Sequence, residues 1–337
     1  MKMKRNANPL VSDDSVSAIL QIATAYQKSK VLLTATELNI FTIINNDEKT
    51  SEEVAKEINA DHKSLDRLLN ALCALNLLEK DSDRFSNTKG TSRFLVEGRP
   101  EFLGDLMHIS NLWDSWEMLA PAVKKGEPPE YKSIDEKDDD WVKSFVDSMH
   151  WHATLQAPDI VNMIDLDDCN KMLDLGCGSA LYAMNFARKK PSMDIYAFDY
   201  PNVIKQTRTH LERNELQDKV QTIEGNFFID DIGNNYDLIF ISSIIQMYSI
   251  WDNIKLMQKC YDSLNSNGKV VIQDQIIDDD RTAPLNAALL SINMLVNTKG
   301  GDAYTKTDVW IMLKEAWFSK VEEINTPFGT KLIIGTK

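Results

Sequence analysis

The sequence predicts a doubly wound, mostly parallel α/β sheet preceded by a separate helical module, and three stretches carry that prediction. In the first, KMLDLGCGSA (171–180), the short apolar run Met172-Leu173-Asp174-Leu175 feeds a glycine-punctuated turn. An amphipathic segment, Leu181 to Lys189, follows it. The second is the apolar run Asp194 to Phe198, one βα unit further on, with Asp199 at its carboxyl end. The third is the alternation of apolar runs and helical patterns up to two closing strands either side of Pro327-Phe328-Gly329. Strands separated by helices pair in parallel with helices on both faces, and the closing pair reads as an antiparallel hairpin. The expected architecture is Rossmann-like.

A length of 337 residues suits two domains, and 43% apolar residues supply a core for each. A formal charge of −14 argues against nucleic acid as the main partner. No apolar run reaches the roughly 18–20 residues of a membrane span, and MKMKRNANPL is not followed by an apolar segment of the signal-peptide kind. Cys73, Cys169, Cys177 and Cys260 show no metal or redox spacing and read as reduced thiols. The expectation is a cytoplasmic chain with no metal, no membrane and no nucleic acid.

Along the chain, residues 1–12 look frayed. A helix is expected from Asp13, with Val16, Ile19, Leu20, Ala23 and Tyr26 at helical spacing, and a second from Leu32 to Ile44. Thr50 with Glu53 reads as a capping box opening a helix over 52–58. Leu65, Leu68, Leu69, Leu72 and Leu75 make 61–77 strongly amphipathic, and 79–88 reads as a hairpin turning at Asp81-Ser82-Asp83. Helices plus a wing describe a winged-helix-like module over 1–100. Fourteen Lys/Arg balance fourteen Asp/Glu there, and 61–78 offers phosphates only Lys63 and Arg67. A DNA reader needs a clustered basic face, so the leucines point to dimerisation instead.

Residues 101–160 read as a helical linker (103–109, 113–124 and 141–157), with the acidic run 135–140 a solvated loop. Residues 161–337 form the sheet domain. Further strands fall at 220–224, 236–242, 269–273, 320–325 and 331–335, and helices at 254–264 and 310–316.

The glycine turn is not a dinucleotide fingerprint. That site needs G-x-G-x-x-G to seat a pyrophosphate. Here the spacing is Asp174-x-Gly176-x-Gly178-x-Ala180, and a carboxylate inside the motif repels phosphate and suits an ammonium. S-adenosylmethionine carries one, and Asp199 stands where a ribose would be held. The bland alternative is a structural turn in some other α/β protein.

These residues resemble the class I S-adenosylmethionine-dependent methyltransferases, and more narrowly the small-molecule O-methyltransferases with an N-terminal winged-helix dimerisation domain. Plant phenylpropanoid and bacterial polyketide or phenazine enzymes belong there. The likeness rests on 65–80, LDLGCGSA, FDYPNV (198–203), EGNFF (224–228), the run 270–302 and Ala316-Trp317-Phe318. It implies a homodimer and S-adenosylmethionine as cofactor. Asp174, Gly176 and Gly178 would hold the methionine end, Asp199 the ribose with Tyr200 and Ser242 alongside, and Asn226 and Phe227 the adenine. Where relatives have aspartate, Asn226 keeps an acceptor oxygen without charge. Ala180 replaces a third glycine, tolerable if its backbone is helical.

On the acceptor side the resemblance implies a base histidine, and Gln246 stands in its place; of its two acidic partners one maps to Asp274 and the other to Ala303. Glutamine cannot take a proton. Proximity supplies about 7–11 kcal/mol and a general base roughly 3–5 kcal/mol, so a nucleophile needing no deprotonation can react without one. An acidic phenol, an aromatic nitrogen or a carbanion-like carbon qualifies. His150 or His152 could substitute as base, although the plainer reading packs one and solvates the other. Met149, Met294, Trp116 and Met247 are expected to line a pocket for a small aromatic acceptor. Two rivals stand beside this reading: an enzyme of the same fold that binds S-adenosylmethionine without transferring methyl, and a ligand-sensing winged-helix regulator.

Overall fold

The computed structural model describes residues 16–99, 101–103 and 106–337, and the chain divides into two compact units, Met1–Ser110 and Asn111–Lys337. The expected helix start at Asp13 lies outside the described residues.

In the first unit, α1 (Val16–Glu37) runs through the break expected before Leu32. It ends where Asn39 turns left-handed (φ 54°) ahead of α2 (Ile40–Ile44); a short polar side chain tolerates that conformation. Val16, Ile19, Leu20 and Tyr26 do not pack into a core of this chain but stay exposed, while Leu33 and Ala35 are buried. After β1 (Lys49–Thr50) comes α3 (Ser51–Glu57), and the capping box forms. The Glu53 N–H donates to Thr50 Oγ1 at 3.2 Å, and the Thr50 N–H to Glu53 Oε2 at 2.7 Å. In α4 (His62–Ala74), capped by Asp61, the leucine stripe buries Leu65, Leu69 and Leu72. The hairpin β2 (Leu78–Asp81) and β3 (Arg84–Asn87) follows, joined by β1 in a three-stranded antiparallel sheet.

α5 (Lys89–Phe94) and α6 (Leu106–Asn111) lead to the second unit. The helix expected over 113–124 is two, α7 (Trp113–Glu117) and α8 (Leu119–Lys125). The acidic run 135–140 is exposed, as expected, but only partly a loop. It holds a short 3₁₀ turn, and the Asp138 carboxylate accepts from the Trp141 N–H at 2.8 Å to cap α9 (Asp139–Thr154). Asp139 and Asp140 then occupy its first turn, where carboxylates complement the helix dipole.

The sheet builds through α10 (Ala157–Asn162), β4 (Lys171–Leu175), α11 (Leu181–Lys189), β5 (Asp194–Asp199), α12 (Pro201–Arg213) and β6 (Val220–Glu224). It continues with β7 (Tyr236–Ser242), α13 (Ile250–Ser263), β8 (Leu264–Asp274), α14 (Leu285–Asn297), α15 (Lys306–Glu315), β9 (Lys320–Asn325) and β10 (Lys331–Thr336). Strand order is β6-β5-β4-β7-β8-β10-β9, parallel from β6 to β8, with β10 antiparallel to both neighbours. Along β7 the side chains alternate: Leu238 and Phe240 enter one core, Ile239 and Ile241 the other. The order reverses between β4 and β7. Ligands bind at the carboxyl ends of strands at such a switch point.

Candidate active site

A cleft with about 850 Å³ of empty space, open mouth included, lies at the ends of β4, β5 and β7. Its floor is the glycine turn. The Gly176 and Cys177 N–H groups both donate to the Phe198 carbonyl, at 2.9 and 3.1 Å, which folds the turn back over β5. Gly176 has φ +75°, and a side chain there would drive into Ile244, with Cγ1 2.6 Å from the added carbon. Glycine is needed on both counts. Ala180 is not right-handed helical as expected. It heads α11 at φ 58°, ψ 27°, fully buried and off the cleft, a conformation costing a non-glycine residue about 1–2 kcal/mol.

Two buried carboxylates line the cleft. Asp174 is 2% exposed, and its Oδ2 accepts from the Ala183 N–H at 3.1 Å. Burial pushes its pKa up to about 7, partly offset by that hydrogen bond. Asp199 accepts from the Gly178 N–H at 2.9 Å and the Tyr200 N–H at 2.8 Å. Burial raises it to about 6 against those two bonds. Each oxygen keeps a lone pair for a ligand. Phe227, Tyr200 and Tyr248 form an aromatic wall, with Phe227 centred 6.2 Å from Tyr200 and 5.7 Å from Tyr248. Ser242, Met149, Met247 and the exposed His152 also line the cleft.

Six expected site residues do not line it: Gln246, Asp274, Asn226, His150, Trp116 and Met294. Asn226 spends its oxygen on its own loop, accepting from the Phe228 N–H at 3.0 Å. His150 packs instead of facing an acceptor. Its Nδ1 is 2.9 Å from Ser179 Oγ and its ring stacks on His210 at 4.4 Å. Burial, then the neighbouring His210, lowers its pKa to about 4. Trp116 donates through Nε1 to Asn293 on α14 at 3.0 Å. Met294 is buried in that same helix, 6% exposed.

Gln246 sits in a 3₁₀ turn, Ile245–Met247, directly before the cleft-lining Met247 and Tyr248. The Asn253 amide clamps this turn, donating to the carbonyls of Ile245 (2.8 Å) and Tyr248 (3.1 Å). Asp274 stands behind it, 2% exposed, with Oδ1 accepting from the Gln275 N–H at 2.8 Å. Its Oδ2 has no hydrogen-bond partner among the described residues. Burial lifts it to about 7, opposed chiefly by the Gln275 N–H. Ala303 is fully buried, packed with Ile277 and Ala287.

Sequence reasoning missed Tyr182, Ser179 and Ile134 in the lining. Tyr182 and Ser179 flank the glycine turn and could have been suspected from their place beside it. Nothing in the sequence marks Ile134, which arrives from a distant turn.

Comparison with known proteins now decides the family. The O-methyltransferase domain profile matches residues 116–319, and the O-methyltransferase dimerisation domain matches 20–97. The chain belongs to the O-methyltransferase family.

It is 26% identical over 329 residues to 3-hydroxy-5-methyl-1-naphthoate 3-O-methyltransferase of Streptomyces sahachiroi, covering 95% of this chain and 94% of that one. It is 24% identical over 341 residues to the N,N-dimethyltransferase OxyT of Streptomyces rimosus, covering 98% of each. The solved structure of PigF with SAH superposes with a TM-score of 0.90 at 21% identity, over 96% of this chain and all of that one. This O-methyltransferase is S-adenosylmethionine-dependent, and its dimerisation domain supports a homodimer. Among the described residues no helix is long and apolar enough to cross a membrane.

The site fits that cofactor. Two carboxylates on the floor and back of the cleft oppose a pyrophosphate and favour a cationic nucleoside. Space beside Gly178 is open, with no atom within 4 Å of an added side-chain carbon.

Two outcomes follow for the methyltransferase. Asp174, Asp199 and Asp274 bind protons in the folded state up to about pH 6–7, above the ordinary carboxylate range. Their contribution to stability is therefore fully present below about pH 4 and lost as pH rises through 6–7. The melting temperature of the cofactor-free protein, after subtracting that of a triple Asn variant, should fall between pH 5 and 8. A flat difference would place these carboxyls in a more solvated setting. The second concerns Gly301, against which a side chain would lie 2.6 Å from Thr298 Oγ1 and 2.9 Å from the Met247 carbonyl carbon. Gly301→Ala should push the 245–247 turn away and cost about 1–3 kcal/mol. Denaturant unfolding would read the loss; unchanged stability would mean the loop shifts freely.

Proposed function

We propose that this enzyme methylates a small aromatic acceptor of polyketide-like character, gaining rate from proximity and orientation rather than from a base at position 246. The carrying observation is the 3₁₀ turn Ile245-Gln246-Met247 beside the cleft: none of its side chains titrates. Bound S-adenosylmethionine supplies an electrophilic methyl on a sulfonium. Asp174 and the glycine turn hold the amino-acid end, Asp199 the ribose hydroxyls, and Tyr200 and Phe227 flank the adenine. Met149, Met247 and Phe145 give the acceptor a polarisable apolar wall, suited to flat rings. Asp274 stands behind the turn that carries Gln246, and that turn presents Met247 and Tyr248 to the acceptor. His152 adds an imidazole to the same cleft lining. The naphthoate named for one relative supports an aromatic substrate, and the N,N-dimethyl transfer named for another supports nitrogen as an alternative nucleophile.

The test is a panel of phenols of graded acidity, quinones and N-heterocycles with labelled cofactor. Transfer should favour phenols ionised at the assay pH and neutral aromatic nitrogens. Equal rates across the phenol series would mean a base is present. Turnover without formation of S-adenosylhomocysteine would replace methyl transfer with another reaction.

A further inference from the structure

The loop between α14 and α15, residues 298–305, grips the Gln246 turn from behind. Tyr304, 6% exposed, donates through its hydroxyl to the Tyr248 carbonyl. The same oxygen takes the Asn253 amide at 3.1 Å, so both of its lone pairs are in use. Earlier in the loop the two backbones touch: a side chain at Gly301 would run into the Gln246 carbonyl oxygen. The turn is thus held at two points by one loop, and it carries Met247 and Tyr248 into the cleft. Position 303, an alanine, offers the turn no polar group, and the neighbouring tyrosine supplies a hydrogen bond instead.

Arg281, between β8 and α14, fixes the backbone on either side of Tyr304. Its Nη1 donates to Asp302 Oδ2 at 3.1 Å and to the Ala303 carbonyl at 3.2 Å, and its Nη2 to Asp308 Oδ2 at 2.7 Å. Asp302 turns its other oxygen to the Ala303 N–H, at 2.8 Å, and to the Ser291 hydroxyl on α14. Asp308 accepts from the Thr305 N–H at 2.9 Å. The Tyr304 carbonyl is itself taken by the Ile277 N–H at 3.1 Å, beyond the end of β8. A planar guanidinium can serve three such acceptors in fixed directions, which the point charge of a lysine cannot.

We infer that Tyr304, aimed by Arg281, is a positioning residue for methyl transfer, its hydroxyl setting where Met247 and Tyr248 stand against the acceptor. This rests on the acceptor lying along that wall, and it adds two residues that do not themselves line the cleft.

Two measurements test it, the first without any substrate. In peptide-level hydrogen exchange, Tyr304→Phe and Arg281→Ala should each speed exchange at 245–249 about tenfold, as for loss of one hydrogen bond. Exchange at 176–183 and 224–228 should stay as in wild type. The double variant should exchange no faster than Tyr304→Phe alone, because the arginine acts through the tyrosine. The second measurement is steady-state kinetics with the fastest-methylated phenol of the panel above. Tyr304→Phe should lower kcat/KM about tenfold with a raised acceptor KM, while S-adenosylhomocysteine affinity stays within about twofold of wild type. A smaller folded fraction would lower kcat and leave KM alone. Unchanged exchange at 245–249 in Tyr304→Phe, additive effects in the double variant, or an unchanged acceptor KM overturns the inference. If the wild-type protein methylates no member of the panel, the aromatic-acceptor reading falls, and the exchange rates alone decide whether these residues hold the turn.

Discussion

Asp199→Ala should weaken S-adenosylmethionine binding by about a hundredfold, read by calorimetry on the otherwise intact chain. The carboxylate closes the end of β5 and accepts from the N–H groups of Gly178 and Tyr200. A hydrogen bond to a charged group contributes about 1.5–3 kcal/mol. Losing the ribose contacts therefore costs on the order of two decades, since each 1.4 kcal/mol is tenfold. Removing the side chain also frees the Gly178 N–H and loosens the turn that carries the amino-acid end. Asp199→Asn separates the two effects. It can still accept from one backbone donor, so it should retain more affinity than alanine. Equal affinity in wild type and Asp199→Ala would remove this residue from the nucleoside site.

Gln246→His should raise turnover on ordinary phenols by about 10–100-fold, the low end of what a general base supplies. The turn is already braced for a larger side chain. Asn253 holds the carbonyls on either side of it, and Gly301 packs against its backbone. Behind it, the unpartnered Asp274 Oδ2 is available to accept an imidazole N–H and orient the ring. The gain stops short of the full range because the second acidic position is Ala303, sealed among Ile277 and Ala287. Steady-state kinetics on a phenol of ordinary acidity decides it, and Gln246→His together with Asp274→Asn should lose most of the gain. No increase with the single variant would mean that the proton already has another destination, with His152 the first to examine.

The floor of the cleft was legible from the chain because it is local. Asp174, Gly176 and Gly178 lie within five residues, and β5 delivers Asp199 beside them through its parallel register with β4. The capping box at Thr50, the wing at 79–88 and the C-terminal hairpin were equally readable, since each is set by a few adjacent side chains. The rest of the cleft lining was not. Whether His150 faced the cleft or packed depended on His210 and Ser179, twenty-nine or more residues away. Asn226 looked available until its oxygen turned into its own loop. The exposed stripe on α1 has perfect helical spacing, and spacing alone does not say whether the covering surface belongs to the same chain.

Sequence by itself determined the fold class, the family and the carboxylate-bearing floor of the cleft, because periodicity, glycine placement and a carboxylate inside the turn act over a few residues. Tertiary structure alone decided which polar groups are buried and which way they point. The Asp174 and Asp274 pKa values near 7 arise from burial under distant strands and helices, against backbone hydrogen bonds that the folded site closes. Such bonds have no signature in linear order, since a donor's direction is fixed only when every partner around it is in place.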